Sequence, residues 1–208
     1  MYNHPYYKEK DQQVLIQFMK QYRFAMLIGS ANDVPAATQI PFLVEEREGK
    51  VFLKGHFMRN TDHHKAFEQN ANALCIFTGA HSYVSSSWYT DPSSGSTWNY
   101  MSIHARGKMN FLDTEGLIQI LEGLTTHYEG YDSIASFQHI SKEYIDRMVK
   151  AIIGFEIEVT EMDNVFKLSQ NRDETSYDNI VKELKSRDGD AKEIGELMEQ
   201  RKRGVFPS

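Results

Sequence analysis

Apolar residues recur at helical spacing near the start of the chain, where Val14, Leu15, Phe18 and Met19 predict a helix over about Lys8–Tyr22. The period then changes. Phe24–Ser30 (FAMLIGS) is an almost unbroken apolar run, Asn32-Asp33 is a turn signal, and Pro35–Val44 (PAATQIPFLV) reads as the hairpin partner. Pro41 has no N–H to give a ladder, so this second strand is expected at an edge or with a bulge. A charged turn, Glu45–Lys50, precedes a third strand at Val51–Gly55. Thr61 can then cap a helix running to about Asn70, with Asp62 well placed in its first turn.

Ala73–Phe77 reads as another buried strand, and the 27 residues from His81 to Gly107 as a hairpin-like unit whose arms meet at the turn-rich Asp91-Pro92-Ser93-Ser94-Gly95. Strand alternation over Thr97–Phe111 sends Met101, Ile103, Ala105, Met109 and Phe111 to one face, the core. It sends Trp98, Tyr100, Ser102, His104, Arg106 and Lys108 to the other. Asp113 is placed to cap a helix to about Tyr128 with an apolar stripe of Leu117, Leu121, Leu124 and Tyr128. A shorter helix over Ser141–Lys150 leads to a last strand, in which Ile153, Phe155, Ile157 and Val159 alternate with polar or small residues up to a turn at Met162-Asp163-Asn164. Two charged, weakly amphipathic segments close the chain, Glu174–Lys185 and Ala191–Arg203.

Short strands with helices inserted between them favour a small antiparallel barrel decorated by helices, an α+β fold, over a parallel βαβ one. Residues 1–172 read as one barrel domain and residues 173–208 as a helical extension packed on it. Neither G-x-G-x-x-G nor G-x-x-x-x-G-K-[ST] follows a strand, which speaks against nucleotide binding of the Rossmann and P-loop kinds.

Composition narrows the function classes. A formal charge of −6 over 208 residues, with pI near 5.8, lacks the basic footprint of a nucleic-acid binder. The one cysteine, Cys75, lies within an apolar run, so it reads as a buried inert thiol and no intrachain disulfide is possible. No apolar stretch approaches the roughly 20 residues that span a bilayer, and MYNHPYYKEKDQQ is no signal peptide, so a soluble, cytoplasmic protein is expected.

Three places carry candidate chemistry. Both tryptophans fall in the His81–Gly107 unit, each closely followed by a tyrosine, so the polar face of its second arm is a candidate ligand or subunit surface. Gly55, His56, Arg59 and Asn60 sit just before the Thr61 cap, where a turn, a cation, an amide and a helix start together suit a phosphate. His63 and His64 point about 100° apart on the helix that follows, and no Cys or close carboxylate completes a metal set with them and His56. Lys167, Ser169, Gln170, Asn171 and Arg172 crowd hydrogen-bond donors just beyond the last strand, where a binding loop would lie.

Taken in order, Gly55-His56 with Arg59-Asn60, FTGAHSYVS (77–85), Trp88-Tyr89, TWNY (97–100), Ile103-His104-Ala105, Ile153-Gly154-Phe155 and KLSQNR (167–172) resemble the PaiB family, FMN-binding split-barrel proteins related to pyridoxamine 5'-phosphate oxidases and described as negative transcriptional regulators. Ser86 and Ser96 stand where that family has prolines, each a loss of a few tenths to about one kcal/mol of unfolded-state restriction.

The resemblance implies a homodimer with FMN at its interface. The phosphate would be held near His56, Arg59 and Asn60, the ring would lie against Thr38, Gln39 and Ile40, and the face bearing Trp98, Tyr100 and His104 would meet the flavin or the second subunit. Lys167, Ser169 and Gln170 would close the site. A flavin-dependent oxidoreductase or a haem-handling protein is the alternative on the same barrel. Direct repression at promoter DNA is disfavoured by the acidic charge and by the want of a helix-turn-helix with a basic recognition helix.

Overall fold

The computed structural model describes residues 1–207 and holds six α-helices and seven β-strands among them. The strands form one antiparallel sheet in the order β2-β1-β5-β6-β7-β4-β3, the α+β barrel class expected. The chain divides into two compact units, neither continuous in sequence. Unit 1 comprises Met1–Leu15, Thr78–Ile103 and the residues from Asp163 onward; unit 2 comprises Ile16–Phe77 and His104–Met162.

Unit 2 begins within α1 (Gln12–Gln21), and β1 (Phe24–Ala31) and β2 (Val34–Pro41) form its first hairpin. Asn32 and Asp33 both take positive φ, 50° and 61°, as a two-residue turn matched to strand twist requires. β2 is the end strand of the sheet, which is where Pro41 can be tolerated. The predicted Pro35–Val44 run is broken at Phe42, whose N–H bonds to Arg23 O at 2.9 Å while its ring is fully buried. The chain restarts as β3 (Leu43–Arg47), turns at Glu48-Gly49 and returns as β4 (Lys50–Met58), longer than the expected Val51–Gly55. β4 pairs with β7 (Ile152–Lys167) in the register Gly55↔Phe155 and His56↔Gly154.

The interior of unit 2 is a cluster of rings and branched chains. Phe42 lies 5.6 Å from Phe77 and 6.1 Å from Phe155, with Leu27, Leu53, Cys75 and Ile157 fully buried around them. Each such side chain contributes about 1.5–3 kcal/mol by burial. A Cβ on Gly55 would sit 3.3 Å from Ile40 Cδ1, so β2 and β4 approach each other and the sheet curls toward closure here. At Gly107, on β6 (Thr97–Phe111), a Cβ would meet Glu158 O at 2.1 Å, so only glycine lets β6 lie this close to β7.

α2 (Asp62–Gln69) packs Phe67 onto Gly29 of β1, and α3 (Thr114–Glu129) packs Leu117 onto Gly154 of β7. The apolar stripe of α3 is Leu117, Ile120 and Leu124; Tyr128, expected in it, is 59% exposed and Leu121 only half-buried. Ile120 lies on the buried arc that Leu117 and Leu124 define, and Tyr128, though on the same side, falls in the last turn of α3 beside its Gly130 cap. α4 (Lys142–Ala151), capped by Ser141, leads into β7.

Unit 1 holds the far ends of β5 (Asn72–Val84), β6 and β7, with the helical pair α5 (Glu174–Lys185) and α6 (Asp190–Val205). β7 runs on through the predicted turn at Met162-Asp163-Asn164, because the side chains that suggested a turn are used in tertiary bonds. Asp163 pairs with Lys8 at 2.5 Å, and Asn164 exchanges two bonds with the backbone of Glu9. Tyr177 is fully buried and donates to Met198 O at 2.8 Å, tying α5 to α6. Ser86 and Ser96 meet: Ser86 N–H donates to Ser96 Oγ at 3.0 Å, a bond that a proline at position 86 could not make.

Candidate flavin site

In unit 2 the candidate residues lie on β2, at the β4–α2 junction and on β6. Alternation along β2 turns Thr38 and Ile40 toward the barrel interior, with Ile40 buried against Gly55, and leaves Gln39 exposed on the opposite face. The three side chains therefore do not share one surface.

The junction is built by local chemistry. Thr61 caps α2, its Oγ1 accepting from His64 N–H at 3.2 Å and donating to Met58 O at 3.0 Å. Asp62 takes the N–H of His63 at 2.8 Å. Asn60 adopts φ +63°, a left-handed turn that asparagine tolerates, and its N–H donates to His64 Nδ1 at 3.1 Å. Much of the helix start is thus already satisfied, so the capacity for an anion rests on Arg59. Its guanidinium is half-buried and has no hydrogen bond or ion pair among the described residues.

The histidines divide. His63 is sandwiched between Phe57 at 5.3 Å and Phe67 at 5.0 Å, with neither ring nitrogen bonded; burial pushes its pKa down, against a smaller upward pull from Asp62. His56, paired across the ladder with the glycine under α3, is also depressed by burial and has an orphaned Nδ1. Both are neutral imidazoles at pH 7. His104 is half-buried on β6, and Arg106 two residues on pairs with Glu161 at 3.2 Å.

In unit 1 the β6 face predicted as aromatic is confirmed. Trp98 is 52% exposed, edged by Tyr83 at 6.0 Å and His81 at 6.1 Å, and Tyr100 is half-buried with its phenol pKa raised by burial and by Tyr2. Lys167 donates to Thr97 Oγ1 and, at 2.9 Å, to Trp98 O. Ser169, at φ +61°, donates to the buried Asn99 Oδ1 at 3.0 Å, and Gln170 accepts from Leu168 N–H at 2.7 Å while donating to Phe166 O. Ser169 and Gln170 therefore hold the strand exit together. Sequence reasoning read Arg172 as a hydrogen-bond donor of this loop, whereas its guanidinium lies 3.9 Å from the centre of the Tyr89 ring, and it passed over the N-terminal Tyr2, whose ring is 5.8 Å from Lys167 Nζ. The signal available was MYNHPYY itself, three tyrosines within seven residues.

A family model described as "Putative FMN-binding domain" matches residues 1–161, three-quarters of the chain. The chain belongs to that FMN-binding family. Within it, the chain is of the PaiB type: it is 30% identical over 203 residues to the protease synthase and sporulation protein PAI 2 of Bacillus subtilis, covering 97% of this chain and 98% of the Bacillus protein. Two solved structures share the fold. A FAD and heme binding protein from Mycobacterium smegmatis aligns at TM-score 0.59 and 15% identity, over 76% of this chain and 72% of that one. The flavocytochrome Anf3 from Azotobacter vinelandii aligns at TM-score 0.60 and 14% identity, over 80% and 72%. FMN is thus the cofactor of this PaiB-type protein. The donor set at the β4–α2 junction fits it, since a guanidinium with no internal partner is what a nearly dianionic phosphate requires. No helix among the described residues is long and apolar enough to cross a membrane.

Proposed function

We propose that this PaiB-type protein is a cytoplasmic regulator in which a homodimer holds FMN and flavin occupancy alters the surface offered to a partner. In this reading residues 1–172 form the flavin-binding portion and α5 and α6 are an appendage on it. In unit 2, Arg59 takes the phosphate, Asn60 shapes the turn that presents it, and the exposed Gln39 is available to the ring; in unit 1, the exposed Trp98 is available to the second subunit. Bound FMN supplies reversible one- or two-electron chemistry. The negative regulatory role is inferred from the resemblance to PAI 2 and the PaiB family.

The observation that carries the reading is the unpaired, half-buried guanidinium of Arg59 at a strand-to-helix junction of an FMN-binding family member. A charge-assisted contact of this kind contributes about 1.5–3 kcal/mol. Titrating the protein with FMN and with riboflavin while following flavin fluorescence tests it. Arg59→Ala should weaken FMN binding at least about tenfold and leave riboflavin binding unchanged. Equal affinities of parent and variant for FMN would remove the phosphate assignment. Sedimentation with and without FMN tests the dimer, and bleaching of bound flavin by NAD(P)H would make the protein an oxidoreductase instead.

A further inference from the structure

The start of α2 departs from the usual pattern at its third residue. Thr61 is the cap, and Asp62, His63 and His64 are the first three helical positions. At the third, a glutamate or glutamine commonly reaches back to the N–H of the cap residue and closes a capping box. His64 reaches one residue further. Its Nδ1 accepts the N–H of Asn60 at 3.1 Å, while its own backbone N–H goes to Thr61 Oγ1 at 3.2 Å. The backbone from Met58 to Thr61 is thereby tied at three points, since Arg59 N–H donates to Ala151 O at 2.9 Å and Met58 O accepts from Thr61 Oγ1 at 3.0 Å. Only the tie from His64 falls on the residue at φ +63°. A non-glycine residue persists in that region where its surroundings over-determine it.

The acceptor is rigid. The His64 ring is 7% exposed, with Phe111 edge to face at 5.3 Å and Phe57 at 6.2 Å. A neutral imidazole has one donor and one acceptor nitrogen, so acceptance at Nδ1 puts the proton on Nε2. Glu68, one turn on, lies 3.7 Å from Nε2, and its carboxylate favours that tautomer. Ring, tautomer and turn are set together, and Arg59 is the residue next to the turn. We propose that His64 is a positioning residue that gives the flavin site its preference for FMN over riboflavin: by accepting the Asn60 N–H it fixes the turn from which Arg59 meets the phosphate. This rests on the assignment of Arg59 to the phosphate and adds to it a side chain that acts through the backbone.

Nuclear magnetic resonance of the full chain, with flavin titrations of variants, tests this role. In the flavin-free parent at mildly alkaline pH, the His64 ring nitrogens should show the proton on Nε2, and the Asn60 amide should exchange with solvent at least about tenfold more slowly than in His64→Leu. In His64→Asn, whose Oδ1 stands where Nδ1 stood, that protection should return. His64→Leu should weaken FMN about fivefold or more, the scale of one hydrogen bond, and leave riboflavin unchanged, whereas His64→Asn should stay within about twofold of the parent. In an Arg59→Ala background His64→Leu should weaken FMN no further. Should a variant fail to fold, the two measurements on the parent still decide: a proton on Nδ1, or an unprotected Asn60 amide, overturns the proposal. It is overturned equally by a folded His64→Leu that binds FMN like the parent, by equal losses of FMN and riboflavin, or by a folded His64→Asn that restores nothing. The two readings fail differently. Parent-like FMN affinity in Arg59→Ala removes the phosphate assignment and this proposal with it; loss of FMN in Arg59→Ala but not in His64→Leu removes the role of His64 alone.

Discussion

The exits of β4 and of β7 follow the same plan with different outcomes. Each ends a strand, passes a non-glycine residue in the left-handed region (Asn60 at φ +63°, Ser169 at +61°) and enters a helix through a side-chain cap, Thr61 or Asp173. Each leaves an arginine without a carboxylate among the described residues, Arg59 or Arg172. The short polar side chains, by contrast, are absorbed locally: Thr61 and Asp62 by the start of α2, Ser169 by Asn99, Gln170 by the backbone around it. Short side chains at a turn are consumed in making the turn, and the long cations are what such a junction has left for a ligand.

The comparison is most severely tested at Asn99. It is fully buried, accepts from Ser169 Oγ and donates to Met198 Sδ at 3.3 Å. Asn99→Ala should cost about 2–4 kcal/mol in denaturant unfolding, through a cavity and a stranded hydroxyl; a loss below 1 kcal/mol would show that the β7 exit does not depend on this bond. Asn60→Val should cost about 1–2 kcal/mol, since a β-branched residue resists positive φ, whereas Asn60→Gly should cost little.

The smallest effect is in pH. His63 is buried neutral with a pKa below its ordinary 6.5, so the stability it contributes is complete above that value and declines as pH falls through it toward the folded pKa. His63→Leu should flatten the decline in thermal midpoint between about pH 7 and 5, leaving a residual slope from His56, which is shifted the same way. An unchanged slope would mean that the ring is solvated when the protein is folded.

Periodicity made most of the elements legible. The two closing helices, the Asp113 cap, the helix expected from Ser141 and the Asn32-Asp33 hairpin lie within a few residues of expectation, because caps and turns are written in local chemistry. Strand lengths were less legible. β4 runs three residues past Gly55 because His56–Met58 pair with Ile152–Gly154 of β7, and β7 continues past Asn164 because the Asn164 side chain is held by the backbone of Glu9. The same limit applied to the candidate site. Arg59 was visible from its position before a cap, but the commitment of Ser169 and Gln170, and the pairing of Lys167 with Tyr2, depend on segments more than 60 residues apart or on backbone geometry that no spacing encodes.

Cys75 lies at the centre of the barrel strands, fully enclosed, with burial pushing its thiol pKa far up. It is also the chain's sole sulfhydryl. A maleimide or disulfide reagent would therefore be refused by the intact molecule and accepted only when β5 parts from its neighbours. The chain carries its own clock for that opening, readable without introducing a label site and comparable between flavin-loaded and flavin-free samples.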